Sequence, residues 1–104
     1  MKKAEAQHHL AQAARGRTPV GFTQHFWEKV GECAPGLTRN EVYGLLRRGR
    51  MVGAPLRKND YLCHEVKVRA ETADFGLLEM VVDITARETL ICVTIYGIPP
   101  DGEV

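Results

Sequence analysis

With 104 residues, 44% of them hydrophobic and 26% charged, the chain is sized and balanced for one globular domain around one core. No stretch approaches the roughly 18 apolar residues of a membrane span, and the Met-Lys-Lys start leads into polar sequence. No membrane association and a soluble, cytoplasmic protein are therefore expected. The net charge of +1 conceals an uneven distribution: residues 1–58 hold 11 Lys and Arg against 4 Asp and Glu, and residues 59–104 hold 3 against 9.

Residues 2–15 are good helix formers, but Leu10 is their only large apolar residue. Without an apolar stripe such a helix gains little from packing and is marginal alone in water. Residues 1–21 are accordingly expected to be a helical arm, frayed or completed by a partner, followed by a connector containing Gly16, Pro19 and Gly21. Thr23 is placed to cap the next helix, which runs to about Cys33 before Ala-Pro-Gly ends it. Phe22, Phe26, Val30 and Ala34 recur at four-residue spacing, widened by Trp27, and make its packing face. His25 and Lys29 run along the flank of that stripe, at the boundary with solvent.

Thr38-Arg39-Asn40-Glu41 has the form of a capping box, and the helix it opens should bury Val42, Leu45 and Leu46 and stop at Gly49. From residue 50 the apolar period falls from 3.6 to 2. A short strand over 50–56 carries Met51 and Val52, with Pro55 marking an edge or a bulge. Lys58-Asn59-Asp60 predicts a hairpin turn into a strand over 61–70, with Leu62, His64, Val66 and Val68 on one face. Strands over 77–85 and 89–97 follow, with Leu78, Met80, Val82 and Ile84, then Ile91, Val93 and Ile95, inward. The expected fold is α+β, with two or three N-terminal helices packed on one face of a four-stranded antiparallel meander. Residues 22–97 form the domain and 98–104 a tail, since Pro99 and Pro100 cannot continue a central strand.

Several chemistries find no support in this sequence. G-x-S-x-G, Walker-type, H-E-x-x-H and dinucleotide motifs do not occur, and the acidic residues show no spacing suited to magnesium. No cofactor or metal is expected. Cys33, Cys63 and Cys92 are odd in number and about thirty residues apart, which reads as reduced thiols rather than a disulfide framework. Three features do offer chemistry. Arg39, Arg47, Arg48, Arg50, Arg57 and Lys58 form a basic stretch that can attract phosphates, although Arg47 and Arg48 also suit a helix C-terminus. His25 can exchange a proton near neutral pH. The second sheet face presents Tyr61, Glu65, Lys67, Arg69, Glu79, Asp83, Thr94 and Tyr96, as a solvated antiparallel face would.

The order of these features carries a family resemblance. Phe22-Thr23-Gln24-His25 opens one helix, Leu37-Thr38-Arg39-Asn40-Glu41-Val42 opens a second, LLRRGRMVG follows, and three strands close on ICVTIYG. Over residues 22–97 this resembles the bacterial and phage family called domain of unknown function 4258, grouped with RelE, BrnT and the colicin-nuclease-like toxins. The resemblance implies a metal-independent ribonuclease, in which the RNA 2′-hydroxyl is the nucleophile and the protein supplies position and charge. His25 matches the family's helix-opening histidine, and Thr94 and Tyr96 match its closing strand. The arginine usual a turn or two after that histidine is absent, and Lys29 stands nearby. The implied catalytic set is then His25, Lys29, Thr94 and Tyr96, with Arg47, Arg48, Arg50, Arg57 and Lys58 binding RNA and an antitoxin protein as a further partner. The competing reading is a non-catalytic protein- or nucleic-acid-binding module of a mobile element.

Overall fold

The computed structural model describes residues 1–58 and 63–99. Three helices, α1 (Lys3–Ala14), α2 (Gln24–Cys33) and α3 (Arg39–Arg48), cover one side of a sheet. The strands are β1 (Val20–Phe22), β2 (Arg50–Met51), β3 (Leu56–Lys58), β4 (Cys63–Thr72), β5 (Gly76–Thr85) and β6 (Leu90–Gly97). They run β1-β6-β5-β4-β2 across the sheet, and β3 also pairs with β4.

The α+β class is as expected, but the sheet is six-stranded and mixed rather than a four-stranded antiparallel meander. The expected strand over 50–56 is broken into β2 and β3, both antiparallel to β4. Between them Gly53 takes φ 75° and Pro55 offers no N–H, so the ladder is interrupted there. At the other edge, residues expected to be a connector form β1, parallel to β6. The hairpin turn expected around Asn59 and Asp60, with Tyr61 and Leu62, lies outside the described residues, as does the tail from Pro100 onward.

Both predicted caps are made. Thr23 Oγ1 accepts from Phe26 N at 2.9 Å, and Thr38 Oγ1 accepts from Glu41 N at 3.2 Å while Glu41 Oε1 accepts from Thr38 N at 2.9 Å. Phe26 and Val30 from α2, and Val42, Leu45 and Leu46 from α3, share one core with Val66, Val68, Met80, Val82 and Ile84, with α2 lying chiefly on β6 and α3 on β4.

The first helix is not an arm. Ala6, Leu10 and Ala13 belong to the same core, where α1 packs on α3. The two alanines supply little area themselves, but their size lets the helices approach closely enough to bury Leu10. A hydrophobic stripe read by side-chain bulk underrates such a helix.

The last strand also departs from simple alternation. Val81 pairs with Thr94 but Val82 with Cys92, which leaves Val93 as an extra residue in a β-bulge. The bulge reverses the parity of β6, so Leu90 and Cys92 are inward with Ile95, in place of the expected Ile91 and Val93. Thr23 Oγ1 donates to Val93 O at 2.8 Å, so the residue that caps α2 also ties the helix to the bulge.

Candidate functional site

The face opposite the helices carries most of the chain's convergent polar groups, and the strand registers set them in rows. One row runs Arg50, Arg69, Glu79, Tyr96 across β2, β4, β5 and β6. The next runs Lys67, Val81, Thr94, and a third pairs Leu56, Glu65 and Asp83. Lys58, Cys63 and Thr85 follow.

Within the first row Arg69 Nε donates to Glu79 Oε1 at 2.6 Å. The Glu79 side chain is 3% exposed although none of the described helices covers this face, and the Arg69 side chain is 32% exposed. A carboxylate held out of water needs a partner, and the guanidinium of Arg69 meets that need. Tyr96 flanks Glu79 on the neighbouring strand, and Lys67 lies two residues before Arg69 on the same face.

The third and fourth rows form a mixed cluster. Lys58 Nζ lies 2.9 Å from Asp83 Oδ2 and 3.9 Å from Glu65 Oε1. The hydrogen bond from Lys58 to Asp83 holds the ammonium pKa above its usual range. Oδ1 of Asp83 is buried and has no hydrogen-bond partner among the described residues. Burial pushes the Cys63 thiol up, and pushes that of Cys92 up to about 12, so neither is a nucleophile at neutral pH. Among the described residues no group of three or more His, Cys, Asp or Glu side chains is placed to hold a metal ion.

The residues expected to act together are divided by the sheet. His25 is exposed in the first turn of α2, and Lys29, one turn on, pairs with Glu32 at 3.4 Å. Both belong to the helix layer. Thr94 and Tyr96 are half-buried and lie in register with Val81 and Glu79 on the opposite face.

The basic stretch is divided as well. Arg47 sits at the end of α3 beside Leu10 and Ala11 of α1, and Arg48 Nη2 donates to Glu71 O at 3.0 Å. Arg57 lies opposite His64 on the helix side, where it lines a cleft with Glu5 and His9. Arg50 and Lys58 alone among the five reach the open face, and Lys58 is neutralised there by its two carboxylates.

Comparison with protein-family models, with curated proteins and with solved structures returned no match. The chain's own chemistry therefore carries the functional reading. Sequence reasoning placed Lys67, Arg69 and Glu79 on the second sheet face without singling them out as a site. The signal available was the alternation of three charged residues with Val66, Val68 and Met80. The pairing of Arg69 with Glu79, ten residues apart in sequence, needed the register of β4 on β5.

Proposed function

We propose that the chain is a toxin-like, metal-independent ribonuclease that uses the open sheet face. The observation supporting this reading is the Arg50–Arg69–Glu79–Tyr96 row, with Lys67 and Thr94 beside it. Two guanidiniums and an ammonium are offset within these two rows by one buried carboxylate. That surplus of positive charge suits a phosphodiester and the further negative charge it gains in the transition state. In the reaction the RNA 2′-oxygen bonds to phosphorus, its proton passes to a base, and the 5′-oxygen leaves with a proton. Tyr96 and Lys67 are the groups on this face suited to proton exchange, and Thr94 adds a hydroxyl for positioning. A sheet face that none of the described helices covers also leaves room for a single strand to lie across it.

The division of His25 and Lys29 from Thr94 and Tyr96 favours a second reading, in which the same face binds RNA or a partner protein without cutting. Purified protein incubated with RNA in EDTA separates the two. Cleavage should survive EDTA, fall about 10²–10⁴-fold in Tyr96→Phe, as for loss of a proton-transfer group, and persist in His25→Ala. Intact RNA after incubation with folded wild-type protein would leave the binding module in place of the enzyme. Collapse of cleavage in His25→Ala would move the active site to the helix layer.

A further inference from the structure

The antiparallel pairing of β2 with β4 sets Arg50 directly opposite Arg69, and both side chains stand on the open face. Directly opposed like charges destabilise a ladder, because the two Cβ atoms are only about 5 Å apart. Glu79 offsets one of them. It bonds Arg69 through Nε alone at 2.6 Å, and among the described residues the terminal nitrogens of Arg69 make no hydrogen bond. Arg50 is exposed and forms no ion pair within the described residues.

We infer that Arg50 and Arg69 form a two-arginine clamp for one phosphodiester group of a single-stranded RNA, and that Glu79 is the residue that positions it. A guanidinium has five N–H donors in a fixed fork, so engaging Nε fixes the plane of the group and leaves the remaining donors to present to an anion. Glu79 is well suited to this task because it is buried and cannot follow solvent ions. Arg50 approaches from the neighbouring strand, so the two non-bridging oxygens of a phosphodiester can each meet a guanidinium. Tyr96 is the next residue of the same row, on the other side of Glu79. The clamp rests on the reading that the open face binds RNA, but it requires no cleavage.

The test is binding of a 2′-O-methyl single-stranded RNA, which keeps the phosphodiesters and blocks the attacking oxygen, over roughly 50–200 mM salt. Arg50→Met, at an exposed edge position, should weaken binding and reduce the slope of log affinity on log salt by about 0.7, as for one lost phosphate contact on a single strand. Glu79→Met removes a negative charge, so a purely electrostatic role would tighten binding. A positioning role predicts about tenfold weaker binding, with recovery in Glu79→Gln, which keeps an acceptor oxygen for Nε. In an Arg69→Met background, Glu79→Met should weaken binding no further, and this double variant also avoids leaving a buried carboxylate unpaired. No binding by the wild type, unchanged binding in Arg50→Met, or tighter binding in Glu79→Met would overturn the clamp. RNA left intact both with and without EDTA, with this pattern of binding preserved, would remove the enzyme and keep the clamp. Cleavage that persists while binding ignores these variants would do the reverse.

Discussion

The two faces of the sheet are built from the same three long strands but solve different problems. On the helix side, Val66, Val68, Met80, Val82 and Ile84 share one core with Phe26, Val30, Val42 and Leu45, and nearly all of the burial is apolar. On the open side Glu79 is as buried as those residues, and it is held by an ion pair. Apolar burial is non-directional and tolerates exchange of one hydrophobe for another of similar volume. The buried pair is directional, contributes little net stability, and is strongly destabilising when half of it is removed. A domain of this size can keep such a pair where it serves to orient a side chain.

The contrast can be broken first on the covered face. Phe26 is fully buried, and Phe26→Ala should cost about 3–5 kcal/mol by combining lost transfer energy with a cavity. Urea unfolding would measure it. Unchanged stability would mean that α2 does not seat on the sheet through this ring.

The open face should respond in a way the covered face cannot. Arg69→Met leaves the Glu79 carboxylate buried without its partner and should cost about 3 kcal/mol, whereas Arg69→Met with Glu79→Met should be close to neutral. Two separate apolar truncations would add, but here the second substitution should restore what the first removed. Simple additivity in a double-mutant cycle would show that the pair is not coupled.

The smallest effect concerns the rim, where β4 begins. Desolvation first, then the amino terminus 3.1 Å from His64 Nε2 and the nearby Arg57, hold the His64 pKa below 6.5. The unfolded chain therefore takes up this proton at a higher pH than the folded one. Stability should decline as pH falls below 6.5 and level off once the folded-state pKa is passed. His64→Gln should flatten that portion of a stability profile measured by urea unfolding between about pH 7 and 5. An identical profile in the variant would assign the acid sensitivity to other groups.

The local elements were legible in the residues themselves. Thr23 and Thr38 mark helix starts because a side-chain oxygen satisfies an otherwise unpaired N–H within three residues. The alternation from Val66 to Ile84 marks β4 and β5 because successive strand side chains face opposite ways. The same alternation located the open face, including Lys67, Arg69, Glu79, Thr94 and Tyr96. Each of these inferences depends on neighbours within a few residues.

What only the tertiary structure decided depends on pairings between distant segments. The bulge at Val93 reversed the inward residues of the first half of β6, and nothing in Leu90–Thr94 distinguishes an apolar run with a bulge from one without. Ala6 and Ala13 entered the core because α3 lies close enough for small side chains to matter, and β1 became a strand because β6 offered an edge. The register of β2, β4, β5 and β6 brought Arg50, Arg69, Glu79 and Tyr96 into one row while leaving His25 and Lys29 beyond the sheet. Local sequence specifies which groups a segment can present, since propensity and period act over a turn or a few strand residues. Which groups meet is decided by register and packing, because those energies arise between segments that the chain separates by ten to seventy residues.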